Sequence, residues 1–207
     1  MKVKPKGNNQ IRLFRQVGEQ LVSKITVSKD VAGVIFLGGL ARGFADKYSD
    51  VDVIVLLNKE DQPLRRQIHS MGLEEQKNLG LDIDLEIHNL KAFQRWKWDE
   101  TNGWDFSHAE IVHDPEGQIR RLFAARLKVS ERFWVKRIVR CAEYMKWYCC
   151  PPTENAGTIA EAWVDRGDML SAHYCLNYSI ELLVKTVFAL NKEFLPHQNG
   201  GYSTFEI

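Results

Sequence analysis

The sequence predicts an α+β protein: a small mixed β-sheet with its helices up to about residue 115, followed by an all-helical half. Three observations carry this. Two short apolar runs, GVIFLG at 33–38 and VDVIVLL at 51–57, are rich in β-branched residues and read as buried strands. A third segment, LDIDLEIH at 81–88, alternates strictly, with Leu81, Ile83, Leu85 and Ile87 on one face and Asp82, Asp84, Glu86 and His88 on the other. Beyond residue 115 the apolar positions recur at spacings of three and four, which is helical.

Taken in order, the polar and basic start, MKVKPKGNN, is expected to be loose. Phe14, Val17, Leu21 and Ile25 form one helical stripe. Residues 62–79 read as a surface helix plus loop, and 90–100 as one helix. Residues 109–114 read as a fourth short strand, closed by a turn at Asp114-Pro115-Glu116-Gly117. Trp134, Ile138, Cys141, Met145 and Tyr148 share one helix face, and Pro151-Pro152 ends that helix. Met169, Ala172, Leu176, Ile180, Leu183, Val187 and Leu190 form the stripe of a last long helix, expected to pack against the helix of Trp134 to Tyr148. The expected domains are 8–115 and 116–207. The sheet is expected to carry helices on one side, its polar face fronting a cleft between the halves.

The bulk properties narrow the function classes. The 207 residues are 44% apolar and 27% charged, ordinary values for a soluble globular protein. The net charge of +1 offers no global field for a nucleic acid. The basic run from Arg120 to Arg140 reads as a solvated helix face. Cys141, Cys149, Cys150 and Cys175 show no spacing of a zinc site. With no signal peptide, a reducing cytoplasmic location is expected. No apolar run approaches the roughly 20 residues of a membrane span.

The chemistry is concentrated in GVIFLGGLARGFADKYSDVDVIVLL. The first strand ends in Gly38-Gly39, a short helical stretch holds Arg42 and Gly43, and Ser49-Asp50-Val51-Asp52 opens the second strand. Asp50 and Asp52 stand two apart on an extended strand, so their side chains share a face. Two adjacent carboxylates repel, and a hard divalent cation such as Mg²⁺ relieves that repulsion. Gly38 and Gly39 let the backbone approach a ligand, and the amides opening the next helix suit an anion. A phosphate cradle and a metal-binding pair are what nucleotidyl transfer needs. Transfer through two metal ions needs ligands for both, and often a base near the acceptor hydroxyl. The third strand offers Asp84, flanked by Asp82 and Glu86.

The pattern Gly-Gly-x3-Gly-x5-Ser-Asp-x-Asp, starting at Gly38, resembles the signature of the DNA polymerase β-like nucleotidyltransferases. The usual form opens Gly-Ser, and Gly39 stands where that serine, a phosphate contact, commonly is. The family's third carboxylate follows an apolar residue on a later strand, as in Ile83-Asp84-Leu85. The resemblance covers roughly residues 10–115. It implies Asp50, Asp52 and Asp84 as catalytic and metal-binding residues, and Gly38, Gly39, Arg42 and Ser49 as nucleotide-binding ones. It further implies two Mg²⁺ ions and a nucleoside triphosphate donor, with ATP expected. The helical remainder is similar in style to the substrate domains of the kanamycin- and lincosamide-type enzymes. It looks most like a bacterial group with a stretch like Phe188 to Pro196 after a long helix. Members of that group continue further, so a shortened helical half, covered by a second subunit, is expected before the polar tail Gln198 to Tyr202.

Some residues read two ways. Arg42 either reaches a phosphate or faces solvent. Glu181 and Lys185 suit a surface ion pair. Trp96, Trp98 and Trp104 are core residues or line an acceptor pocket. Three functions compete: transfer of a nucleoside monophosphate to a small-molecule hydroxyl, transfer to a protein partner in the manner of an antitoxin, and nucleotide binding without catalysis. The trio Asp50, Asp52 and Asp84 argues against the last.

Overall fold

The computed structural model describes residues 8–150 and 157–196. The first seven residues, Pro151-Pro152 and the tail Gln198 to Tyr202 lie outside them. The chain divides into two compact units, one holding the chain up to Lys128 and the other Val129–Leu195.

The first unit runs α1 (Ile11–Ile25), β1 (Val31–Phe36), α2 (Gly38–Arg42), β2 (Val51–Leu57), α3 (Gln62–Leu79), β3 (Ile83–Asn89), α4 (Leu90–Arg95), α5 (Glu100–Ser107), β4 (Glu110–His113) and α6 (Gln118–Arg126). The four strands form a mixed sheet in the order β3-β2-β1-β4. β1 is antiparallel to β2 and β4, and β2 is parallel to β3 across the α3 crossover. The sheet explains why 51–57 is apolar throughout. Val51, Val53, Val55 and Leu57 point into a core with Phe14, Val17, Leu21 and Ile25 of α1 and Ile68 of α3. Ile54 and Leu56 point the other way, into a second core with Leu90, Phe93, Phe106, Ile119 and Phe123. Helices therefore cover both faces, not one as the alternating third strand implied. Asp52 is the polar residue on the face that Ile54 and Leu56 continue.

α6 belongs to this sheet unit through Ile119 and Phe123. The buried Asp114 carboxylate accepts from the backbone N–H groups of Ile119 and Arg120 and so fixes the helix start. Residues 90–100 are not one helix. α4 stops at Arg95, and α5 restarts behind a capping box in which Asp99 and Asn102 satisfy each other's backbone. Trp98, between the two, turns into the second core, its ring 4.4 Å from Phe106 and 5.3 Å from Phe123. The Arg126 guanidinium holds this linker by donating to the carbonyls of Gln94 and Trp96.

The second unit is α7 (Glu131–Cys149), α8 (Ile159–Asp165) and α9 (Met169–Leu190). α7 and α9 pack through small groups: Ser179 Oγ lies 2.9 Å from Cys149 Sγ, Cys149 meets the Cys175 carbonyl, and Tyr148 meets Tyr178 edge-on. The buried residues of α9 are Ala172, Cys175, Leu182, Phe188 and Ala189. The expected stripe from Met169 to Leu190 is thus not the packed one; of its members only Ala172 is fully buried, and Met169, Leu176, Ile180, Leu183 and Leu190 are exposed. On the buried side the small Ala172, Cys175 and Ala189, which let helix backbones approach closely, stand together with the large Leu182 and Phe188. Glu181 and Lys185 form the expected pair one turn apart, at 3.6 Å.

Candidate active site

The parallel register of β2 on β3 decides the geometry. It sets Val51 beside Ile83 and Asp52 beside Asp84, so the two carboxylates stand on neighbouring strands at the same level. Asp50 precedes β2 by one residue, on the same face as Asp52 by the period of two. The other acids of the third strand are engaged elsewhere. Asp82 accepts from Gln76 Nε2 at 2.9 Å, and Glu86 bonds His88 Nε2 at 2.7 Å. That bond to His88 holds the Glu86 carboxyl below its ordinary value.

Gly38 closes the site from below. Its φ is +54°, and a Cβ there would stand 1.8 Å from Asp52 Oδ2. The Asp52 carboxylate therefore occupies the space where any side chain at 38 would begin. Leu37 N donates to the Asp52 carbonyl at 3.1 Å, tying the start of α2 to β2. α2 is one turn with no side-chain cap at Leu37. Arg42 Nε donates back to the Gly38 carbonyl at 3.0 Å. Ser49 is part of a tight turn: its Oγ accepts from Asp46 N and contacts Asp46 Oδ1.

Gly39 has its own cause. A Cβ at this position would meet the Phe44 carbonyl oxygen at 2.4 Å. That carbonyl cannot retreat easily, because the loop behind it is pinned. Asn9 donates to the Gly43 carbonyl and accepts from Ala45 N, and Gln10 N donates to the Ala45 carbonyl. A serine at 39 fits only if this loop moves. Gly39→Ser is therefore expected to destabilise the first unit by about 1–3 kcal/mol, the usual range for overpacking, and to bring no gain in transfer. Thermal unfolding of the variant checks this, and an unchanged Tm would refute it. Asn9 was hidden from sequence reasoning because it closes a polar stretch that reads as loose.

Charge is concentrated on Asp52. Burial, and then the charges of Asp50, Asp84 and Asp105, push its carboxyl up to about 7, with Arg42 opposing. The Asp84 carboxyl is raised by burial and by the charges of Glu86 and Asp50. Asp105, on α5 between the buried Trp104 and Phe106, is the acid that sequence reasoning missed. Reading 90–100 as one helix concealed it, and the Asp99-x-x-Asn102 box was the signal for a new helix there. Among the described residues no three Asp, Glu, His or Cys side chains converge as a complete metal-ligand set. The carboxylate oxygens are nonetheless the hard donors that Mg²⁺ prefers, and the upward shift of Asp52 marks a cluster short of positive charge. The donor set fits a divalent cation whose remaining ligands come from a triphosphate.

Residues 19–102, which contain Gly38, Gly39, Arg42, Ser49, Asp50, Asp52 and Asp84, match the family model described as a nucleotidyltransferase domain. Over that stretch the chain is similar to nucleotidyltransferase domains. It is an enzyme of the class that moves a nucleoside monophosphate from a nucleoside triphosphate. No curated protein shows significant similarity to the chain. Among solved structures, a protein from Sulfolobus solfataricus described as a nucleotidyltransferase is 16% identical, with a TM-score of 0.37, over 54% of this chain and 92% of that one. A chain from the complex of the tri-AMPylated Shewanella oneidensis HEPN toxin with MNT antitoxin is 14% identical, with a TM-score of 0.37, over 63% and 98%. A chain from a toxin–antitoxin structure with AMP-PNP is 13% identical, with a TM-score of 0.40, over 63% and 98%. No helix among the described residues is long and apolar enough to cross a membrane.

Proposed function

We propose that the enzyme transfers a nucleoside monophosphate, with ATP as donor, to a hydroxyl of a small molecule, in the manner of the kanamycin- and lincosamide-type enzymes. The observation that carries the reading is the in-register pair Asp52 and Asp84, with Asp50 beside them and the Gly38 backbone packed on Asp52.

The roles follow from position. Asp50, Asp52 and Asp84 would hold the divalent ions. The amides opening α2 at Gly38 and Gly39 receive the triphosphate, the positive end of the turn facing it. Arg42, anchored on the Gly38 carbonyl, adds charge beside the same phosphates. Ser49 keeps the turn before Asp50 in shape through Asp46. Two bound Mg²⁺ ions would supply charge neutralisation for the attacking and leaving oxygens. The acceptor oxygen attacks the α-phosphorus, the bond from that phosphorus to the bridging oxygen breaks, and pyrophosphate leaves. The hydroxyl proton passes to the Asp84 carboxylate, whose raised affinity for protons suits a base.

An open cleft of about 420 Å³, lined by His88, Ala92, Phe93, Arg95 and Trp96, lies at the other end of β3 from Asp84, roughly 13 Å along the strand, and would have room for a small acceptor. That volume is within the range of small-ligand sites, roughly 300–1,000 Å³. The net charge of +1 gives no support for a polyanion.

The test is incubation with each α-labelled nucleoside triphosphate and Mg²⁺, with a panel of hydroxyl-bearing small molecules in one arm and a host protein extract in the other. Labelled small molecules with equimolar pyrophosphate support the proposal; label only on protein overturns the acceptor class, and no transfer in either arm overturns the reading. Asp84→Asn is expected to keep nucleotide binding within a few-fold and to lose turnover, since its role lies at the attacking oxygen. Calorimetric binding of Mg·ATP alongside single-turnover transfer separates the two, and transfer at the wild-type rate removes Asp84 from the mechanism.

A further inference from the structure

α7 carries its charge on the side it turns to solvent. Trp134 and Cys141 are buried, whereas Arg132, Lys136, Arg140 and Lys146 are exposed. Arg132, Lys136 and Arg140 stand four apart, so they lie one above another on successive turns. One acid, Glu143, shares this exposed side.

The placement works against the helix. Like charges four apart repel. Arg132 lies in the first turn, where the positive end of the helix dipole disfavours a cation, and Ser130 supplies no side-chain cap there. Among the described residues none of the four cations forms an ion pair. Glu131, the acid nearest Arg132 in sequence, is taken by Lys192 at 2.7 Å. The strip is a surplus of positive charge held against its own repulsion, and a polyanion relieves it. The net charge of +1 averages this strip with the acids of the rest of the chain.

The aromatic side chains select the kind of polyanion. Tyr144 is 41% exposed and Trp147 71%. They continue the strip about one turn beyond Arg140, whose guanidinium lies 5.9 Å from the Tyr144 ring centroid. A row of cations beside open rings supplies both elements of single-strand recognition, since the cations follow the phosphates and the rings stack the bases. A duplex hides its bases, and an acidic peptide has none. A membrane takes a helix whose apolar side faces outward, whereas that side of α7, with Trp134 and Cys141, is turned inward.

We propose that the exposed side of α7 binds single-stranded nucleic acid, with phosphates on Arg132, Lys136 and Arg140 and bases on Tyr144 and Trp147. From 132 to 147 the strip is about 22 Å long at 1.5 Å per residue, room for a few nucleotides.

Fluorescence anisotropy tests this on the full chain, with an end-labelled oligouridylate and its DNA counterpart. Chelator is present and nucleoside triphosphate absent, which keeps the carboxylate site out of the measurement. Binding of either strand at low salt is expected, with log K falling against log salt at a slope of about −2 for three phosphates. Arg132→Glu with Lys136→Glu should weaken it about tenfold or more and flatten the slope. The same double variant should melt no lower than wild type, because it removes repulsion at the positive end of α7. Trp147→Ala should weaken binding about tenfold with the slope kept, since stacking carries no charge. No binding at low salt overturns the proposal, as does equal affinity for a duplex, for polyglutamate or for anionic vesicles. Wild-type affinity in both variants overturns it too, and so does a lower Tm in the double variant, which would mean that the cations hold the fold.

Discussion

Asp52→Asn is expected to make the protein more stable while abolishing its chemistry. Burial and three neighbouring acids push the Asp52 carboxyl up to about 7, against an ordinary 3.8. The folded state therefore binds a proton that the unfolded chain has already lost, and stability falls as pH rises through that window. Below the unfolded value both states are protonated and the residue costs nothing. Above pH 7 the cost is complete, on the order of 4 kcal/mol at most. Asparagine removes the charge and keeps the shape. Wild type and variant should have equal Tm near pH 4, and the variant should melt several degrees higher at pH 8. Transfer should drop by roughly a thousandfold or more, since charge stabilisation by bound metal is worth several kcal/mol. The same protonation competes with the cation, so wild-type affinity for Mg·ATP should weaken as pH falls below about 7. A variant that is less stable than wild type at pH 8 would mean that Asp52 is held by partners of opposite charge and not by a surplus of like ones.

Gly38→Ala is the second large effect, and it is a test of packing more than of backbone freedom. Alanine at φ +54° carries strain of about 1–3 kcal/mol. The added Cβ also lands 1.8 Å from Asp52 Oδ2, so the carboxylate must leave its place. Turnover should fall about as far as in Asp52→Asn. The two causes separate in a double-mutant cycle. In an Asp52→Ala background the collision is gone, and Gly38→Ala should then cost only the backbone strain. Additive costs in that cycle would show that Gly38 and Asp52 do not share this space.

Much of the first unit was readable because its signals are local. The run 51–57 is apolar at every position except Asp52, since β2 is buried on both faces. The pairing of Asp84 with Asp52 was readable as a possibility among three acids on one strand face. Choosing among them needs the register, which the α3 crossover sets and no periodicity encodes. The helices on the second face were missed because their apolar residues, Phe93, Phe106, Ile119 and Phe123, come from three short helices separated by turns. α9 was misread for a different reason: on a helix apolar on several sides, spacing names the candidate stripes without ranking them. The buried side holds Ala172, Cys175, Leu182, Phe188 and Ala189, and Cys175 and Ser179 meet Cys149 of α7.

β3 stands at the edge of the sheet, with a hydrogen-bonded neighbour on one side only. The strand bearing Asp84 is thus fastened by a single ladder, whereas the strand bearing Asp52 is fastened by two. Local opening follows the weaker fastening. The cheapest way to dismantle the carboxylate pair is then to peel one strand from the sheet rather than to unfold the unit. A cation and triphosphate held by both strands would act as a brace across that seam. Amide hydrogen exchange along Ile83–Asn89 should slow on addition of Mg·ATP far more than exchange along β1, which makes the edge strand the place where substrate occupancy is recorded in the backbone.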